Sequence, residues 1–401
     1  MKKQNQNKYN TKRFKMLLKG FFPTIIGYFI PKKRERIILT SNRNETYAYN
    51  SKYLFEYFIK HYPNLEVKYV MNNKSKRDNL NLEFGRENNY FIETESVKGI
   101  WYALRAYSWI ISAYETPVMG FFLRINKFVF HLGHSAYFRS AMFLEGSPPW
   151  YKKLYFHLIK NNFSYHLITS HEIAKIIPQM LGCKKDDIVV MGEPMNDKIF
   201  NPDKKIFLNL FGKDILDYKN ILYAPTWRPN GSLKLFPFED MDWENFIQFL
   251  EANKINIFLR THPSFEEDLS FYTKKSDRIK VINGDLIEDI NDIISLFDIV
   301  ISDYSSVFTG YLMSNKHVMF FPYDLDEYEK NMGFVLPYHK ATPGPKPKTF
   351  QSFKDETIKL LNDDAYFKDE IKEASYMFNS YQSNKNSEKI AKFIMEKIDV
   401  L

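Results

Sequence analysis

Four short segments of the chain hold the side chains with the most chemistry. In Asp303-Tyr304-Ser305-Ser306, an apolar run (Ile299 to Ser302) breaks into small hydroxyl residues just before a helical pattern at Val307, Phe308, Tyr311 and Leu312. A helix start leaves backbone N–H groups without intrahelical partners, and its dipole favours negative charge. Ser305 and Ser306 would add hydroxyl donors, so the turn suits a phosphate. The same residues also suit plain capping by Asp303 or Ser305. In Pro225-Thr226-Trp227-Arg228, Pro225 ends a strand, Thr226 brings a hydroxyl and Arg228 a planar fork that matches phosphate. In Arg260-Thr261-His262-Pro263, an imidazole with an ordinary pKa near ~6.5 is held at a strand end beside a guanidinium. It can donate to phosphate oxygens or exchange a proton. Gly133-His134-Ser135-Ala136 places a second histidine after a strand, behind a glycine that permits a sharp turn.

Two weaker signals accompany these. His131 and His134 are spaced as a metal pair, but no carboxylate or thiol stands at a ligand spacing, so no metal is expected. Met191-Gly192-Glu193-Pro194 is a turn by composition, in which Glu193 is either a ligand for a sugar hydroxyl or, more simply, a solvated turn residue.

The elements that carry these segments alternate between strand and helix. Strands are expected at Arg36 to Thr40, Val67 to Met71, Trp109 to Ala113, Lys127 to Leu132, Tyr165 to Thr169 and Ile188 to Met191. Helical patterns cover Ser51 to His61, Ser96 to Arg105 and Ser170 to Leu181. After a polar stretch, Asn196 to Lys219, strands resume at Asn220 to Ala224, Ile255 to Arg260, Ile279 to Ile282, Ile299 to Ser302 and His317 to Phe321. Helices are expected at Asp240 to Asn253, Asp289 to Phe297, Phe353 to Met377 and Ser387 to Leu401. Such βαβ alternation specifies parallel sheets covered by helices. The expected fold is therefore α/β, with two Rossmann-like doubly wound domains facing a cleft: residues 36–200 and 201–401, preceded by a segment 1–35 of another character. In folds of this kind ligands bind at the carboxyl ends of the strands, where all four segments fall.

With 401 residues, 44% hydrophobic and 26% charged, the chain reads as globular and long enough for two cores. The net charge of +8 suits an anionic partner. Cys183 is the single cysteine, so no internal disulfide exists and a reducing compartment is expected. Much of the basic charge sits at the N-terminus, at Lys2, Lys3, Lys8, Lys12, Arg13, Lys15, Lys19, Lys32, Lys33, Arg34 and Arg36. It flanks an apolar, aromatic run from Gly20 to Pro31, about half the roughly 20 residues that span a bilayer. The pattern predicts a basic amphipathic segment lying on an anionic membrane surface; a basic tail plus a core helix is the plainer alternative. No nucleic-acid module is recognisable, and no nucleic-acid partner is expected.

Taken together, Pro225-Thr226-Trp227-Arg228, Arg260-Thr261-His262-Pro263 and Asp303-Tyr304-Ser305-Ser306, in this order and spacing, resemble the CDP-glycerol glycerophosphotransferase family of teichoic acid primases and polymerases, with related capsule polymerases. Pro343-Gly344-Pro345 and Gly192-Glu193-Pro194 followed by Asn196-Asp197 add to the resemblance, which runs from about residue 36 to about residue 390. It implies a GT-B-like fold and the transfer of a polyol phosphate, glycerol phosphate first, from CDP-glycerol or CDP-ribitol to a hydroxyl of a lipid-linked glycan acceptor, with CMP released and no cofactor. It also implies the cytoplasmic face of the cell membrane. On this resemblance His134 is the general base and His262 a catalytic contact to the donor pyrophosphate. Thr226, Arg228, Arg260, Asp303, Ser305 and Ser306 form the donor phosphate site. The family's histidine is usually followed by Gly-Thr-Pro, where this chain has Ser135-Ala136-Tyr137, and Met195 stands where an arginine is usual. Two alternatives remain at this point: a GT-B nucleotide-sugar glycosyltransferase, and a catalytically inactive membrane-bound scaffold.

Overall fold

A computed structural model describes residues 20–145, 150–228, 233–261 and 269–399. His262 and residues 1–19 of the basic segment lie outside the described residues. The chain divides into two units, one of residues up to 134 with 141–197 and 385–401, the other of residues 135–140 and 198–384.

The first unit is built on seven strands: β1 (Lys33–Thr40), β2 (Glu66–Val70), β3 (Phe91–Ile92), β4 (Ala106–Ile111), β5 (Phe128–His131), β6 (Tyr165–Ile168) and β7 (Ile188–Val190). Their order is β3-β2-β1-β4-β5-β6-β7, and every pairing is parallel. The central strands are buried on both faces, which is why Ile37, Ile38 and Leu39 or Trp109, Ile110 and Ile111 read as unbroken apolar runs. One face is covered by helix Tyr49–His61, which turns Leu54, Phe55 and Phe58 inward, and by helix Asn386–Asp399, which presents Ile390, Ala391, Ile394 and Ile398 to the same cluster. The spacing 390, 394, 398 is one stripe of an α-helix. This helix follows the second unit in sequence but completes the core of the first, which corrects the expected boundary of 201–401 for the second domain.

The second unit has five strands: β8 (Lys219–Tyr223), β9 (Ile255–Leu259), β10 (Ile279–Val281), β11 (Ile299–Ser302) and β12 (His317–Phe320). Their order is β10-β9-β8-β11-β12, again all parallel. Both sheets therefore reverse strand order once, between β1 and β4 in the first and between β8 and β11 in the second. The crevice beyond the carboxyl ends at such a reversal is where open α/β sheets bind ligands.

The expected strands are all present, and β3, two residues long, is too short for its periodicity to show. Three expected helices differ. Residues 170–181 form two short helices, His171–Ala174 and Ile177–Leu181, because Pro178 has no N–H to continue the ladder. Residues 289–297 form two 3₁₀ turns, Ile290–Asp292 and Ile294–Leu296, the first capped by Asp289 accepting the Asn291 N–H at 3.0 Å. The long C-terminal pattern is two helices, Phe350–Asn362 and Lys368–Phe378, separated where Phe367 takes φ +58°. The helical run within the basic segment, residues 20–29, packs on its unit through Thr24 and through Tyr28, whose hydroxyl donates to the Phe121 carbonyl at 2.8 Å. Among the described residues no helix is long and apolar enough to cross a membrane.

Candidate active site

His134 follows β5, the neighbour of β4, and so lies one strand beyond the reversal between β1 and β4. Gly133 takes φ +69°, and a Cβ there would meet nothing within 4 Å, so backbone conformation rather than space asks for glycine. The His134 ring lies 5.3 Å from that of Tyr49, and its Nδ1 is 3.0 Å from the carbonyl oxygen of Ser112, the residue just after β4. A carbonyl only accepts, so Nδ1 carries the hydrogen and the imidazole lone pair sits on Nε2. Ser112 is itself fixed. Ser51 N–H donates to its Oγ at 2.8 Å, and the Ser51 hydroxyl donates to the Thr40 carbonyl at 2.6 Å. The Ser51–Ser112 hydroxyl contact at 2.6 Å must then be donated by Ser112.

Beneath this turn lies the buried Asn50. Its amide nitrogen donates toward the carbonyls of Leu132 at 3.2 Å and Gly133 at 3.0 Å and to Glu193 Oε2 at 2.8 Å, while its Oδ1 accepts the Met195 N–H at 3.0 Å. Glu193 is thus a buried strut, 1% exposed, and the solvated-turn reading of it is wrong. The adjoining Gly192 shows why glycine stands there: a Cβ would come within 2.1 Å of Asn386 Oδ1. Asp197 accepts the N–H groups of Asn386 at 2.7 Å and Ser387 at 2.9 Å, capping the helix that begins there. Its burial raises its pKa despite those bonds.

His131 points into a different environment. It stacks on Tyr114 at 4.5 Å and meets His166 at 3.4 Å between their Nδ1 atoms. Burial lowers the pKa of both, that of His166 to about 4, so the pair is neutral at physiological pH. Among the described residues no cluster of three or more His, Cys, Asp or Glu could hold a metal ion.

In the second unit the strand reversal brings together the loops after β8 and β11. Asp303 Oδ1 accepts the Thr226 N–H at 2.8 Å and the Tyr304 N–H, so one buried carboxylate ties the two loops. Arg228 is also buried, and its guanidinium is not open toward a ligand. Nε donates to Asp324 Oδ2 at 2.8 Å and Nη2 to Asp324 Oδ1 at 2.9 Å. Nη1 donates to the Thr226 carbonyl at 2.6 Å and lies 2.9 Å from Asp303 Oδ2. That last contact is ionic and lacks hydrogen-bond geometry, since Oδ2 has no hydrogen-bond partner. Burial alone would lower the pKa of Arg228, but Asp324 and Asp303 outweigh it and hold the pKa above its ordinary value. The Tyr304, Tyr328 and Tyr323 rings surround its Cζ at 4.7, 5.1 and 5.4 Å. Arg260 donates to the Ile287 carbonyl at 3.0 Å and to those of Ile282 and Glu288 at longer range, so it braces the loop after β10.

The hydroxyls expected to meet phosphate have surroundings unlike those of Arg228. Thr226 is 7% exposed, and its Oγ1 has no hydrogen-bond partner among the described residues. Ser305 and Ser306 are half-buried; Ser305 Oγ accepts the Val307 N–H at a long 3.4 Å. The following helix, Val307–Tyr311, has five residues before it tightens to 3₁₀, so its dipole is small and the hydroxyls matter more than the reading of a helix start implied. Ser135 reaches this loop, donating from Oγ to the Ser306 carbonyl at 3.0 Å, with φ at +129°, a region that disfavours side chains.

Sequence reasoning alone does not single out Asn50, Ser112 or Asp324. Asp324 carried a signal: like the other segments it follows a strand end, in Phe321-Pro322-Tyr323-Asp324. Asn50 and Ser112 carried none.

The sequence profile of the family described as CDP-Glycerol:Poly(glycerophosphate) glycerophosphotransferase matches residues 24–396. The chain is 25% identical over 371 residues to a teichoic acid poly(ribitol-phosphate) polymerase of Bacillus spizizenii, covering 90% of this chain and 56% of that protein. It is 28% identical over 240 residues to a teichoic acid glycerol-phosphate primase of Bacillus subtilis, covering 60% of this chain and 59% of that one. The chain thus spans little more than half the length of these relatives. Among solved structures, the wall teichoic acid polymerase TagF matches with a TM-score of 0.75 at 23% identity, covering 92% of this chain and 90% of that one. That likeness shows a shared GT-B-like α/β fold.

Proposed function

The chain belongs to the CDP-glycerol:poly(glycerophosphate) glycerophosphotransferase family, and from that premise we propose that it moves a polyol phosphate, glycerol phosphate first, from a CDP-linked donor to a hydroxyl of a lipid-linked acceptor of teichoic acid or capsule type. The acceptor oxygen attacks the phosphorus that bears the polyol. A new P–O bond forms, the bond to the CMP phosphate oxygen breaks, and CMP leaves with the electron pair. The acceptor proton passes to Nε2 of His134.

The observation that carries this reading is the hydrogen bond from His134 Nδ1 to the Ser112 carbonyl. It favours the tautomer that a general base needs and ties the ring to the residue after β4, a strand that borders the reversal. Such a base contributes about 10²–10⁴-fold. Thr226 Oγ1, Ser305 and Ser306 supply donors to the diphosphate of the donor, Arg260 adds charge at the loop base, and His262 contacts the same phosphates. Arg228 acts here as a scaffold, because one cation facing Asp303 and Asp324 offers no net positive charge to an anion.

The reading includes an anionic membrane surface as partner, at the cytoplasmic face, where a lipid-linked acceptor is presented. Phe22 and Phe29, 71% and 84% exposed, stand on the helical residues 20–29 with Ile26, and Lys32, Lys33 and Arg34 follow directly. An apolar face edged by basic residues suits an interfacial helix.

The test is incubation of the purified protein with CDP-glycerol or CDP-ribitol and a lipid-linked disaccharide, reading CMP release and product mass. CMP release with a mass gain of one or more polyol phosphate units supports the reading. Nucleoside diphosphate release from a sugar nucleotide, with no CMP, refutes it.

A further inference from the structure

We infer that Asp324 is a positioning residue for the donor phosphate site, gripping Arg228 and Tyr304 together so that the loops after β8 and β11 keep Thr226, Ser305 and Ser306 aimed. The inference rests on the donor site proposed above. Asp324 comes from a third loop, after β12, and its side chain is 17% exposed. Both of its oxygens engage the Arg228 guanidinium, and Oδ1 also accepts the Tyr304 hydroxyl at 2.9 Å. Tyr304 stacks on Tyr328 at 3.9 Å, and Tyr338 donates to the Asp303 carbonyl at 3.1 Å, so the turn is boxed by rings as well as charges.

The geometry separates two kinds of group. Asp303, Arg228, Asp324 and Tyr304 spend their polar atoms largely on one another. The Thr226 hydroxyl, buried and without a hydrogen-bond partner among the described residues, does not. A buried unmet donor is costly, and a ligand oxygen would recover that cost. A bidentate carboxylate–guanidinium pair is direction-specific, so it suits the task of fixing where that hydroxyl points. An asparagine in its place would set an amide N–H₂ against guanidinium N–H groups and lose the two-point grip.

Simple electrostatics and positioning predict opposite signs. Removing a negative charge beside an anionic donor should lower the donor KM. Loss of positioning should raise it, by roughly 10–100-fold for a charged hydrogen-bonded pair. The variants are Asp324→Asn and the milder Tyr304→Phe, which leaves the Arg228–Asp324 pair intact. Two measurements apply: hydrogen exchange at the Thr226 and Tyr304 amides without ligand, and CMP-release kinetics with CDP-glycerol and the lipid-linked disaccharide. The expected result is faster exchange at both amides, a raised donor KM with acceptor KM unchanged, and a lowered melting temperature for Asp324→Asn, since it weakens a buried ion pair, with smaller shifts in the same direction for Tyr304→Phe. Unchanged exchange, or a donor KM that stays level or falls, overturns the inference. If Asp324→Asn does not fold, Tyr304→Phe decides by the same two readouts. If the wild type releases no CMP, the functional reading fails, and the exchange measurement alone decides the role of Asp324.

Discussion

Asn50 is the residue whose loss should tell most about how the His134 turn is held. Asn50→Ala removes the acceptor of the Met195 N–H and the donor to Glu193 Oε2, and both partners are buried. Leaving a buried neutral N–H unmet costs about 1–3 kcal/mol, and a hydrogen bond to a charged group is worth about 1.5–3 kcal/mol. The Leu132 and Gly133 carbonyls lose a shared donor as well. Together these give a destabilisation of about 3–5 kcal/mol, concentrated in the first unit. Urea unfolding followed by tyrosine and tryptophan emission should show a lower midpoint with an unchanged slope. Because Gly133 precedes His134 directly, CMP release should fall by more than the loss of folded protein explains. Asn50→Asp refines the test. It places a second carboxylate against Glu193, so one of the two must take a proton in the folded state, raising its pKa above the unfolded value. Stability then is greatest in acid and falls as pH rises through that folded pKa. A loss below about 1 kcal/mol for Asn50→Ala, with activity intact, would show that the hydrogen bonds drawn through Asn50 do not support the turn.

Three further outcomes are expected. His134→Ala should lower CMP release about 10²–10⁴-fold while calorimetry still detects CDP-glycerol binding; loss of that binding instead would remove His134 from the role of base. His166, whose pKa burial lowers to about 4 from an ordinary 6.5, should make the first unit less stable as pH falls from about 6.5 toward 4, because the unfolded chain takes up the proton first. His166→Gln should flatten that part of a stability-versus-pH curve, and an unflattened curve would assign the acid sensitivity elsewhere. Phe22→Ser combined with Phe29→Ser should reduce sedimentation with phosphatidylglycerol vesicles while leaving donor binding unchanged, and undiminished sedimentation would place the contact on another surface.

The features that showed in the sequence were those written locally. Continuous apolar runs gave the strands because parallel strands are buried on both faces, and the segments rich in hydroxyl, imidazole and guanidinium groups lay at their carboxyl ends. What did not show depended on distant partners. Arg228 read as an open fork because nothing near it reveals Asp324, 96 residues away. Glu193 read as a solvated turn residue because the amide that buries it comes from Asn50, 143 residues away. The break at Pro178 was legible in principle, since proline has no N–H. The break before Lys368 rests on one left-handed residue, Phe367, whose type does not advertise that conformation.

Helix Asn386–Asp399 seals the core of the first unit, yet it is encoded after the second. During synthesis the first unit therefore emerges with the part of its core around Phe130 and Tyr165, on which Phe393 of that helix packs, bare. At about 5–20 residues per second, the ribosome needs roughly 10–40 s to make the intervening chain before the sealing helix can arrive. Over that interval the nascent protein carries an open, sticky seam, which makes it a substrate for chaperones that shield apolar surface. A released chain truncated just short of residue 386 would have its second unit whole and its first unable to close.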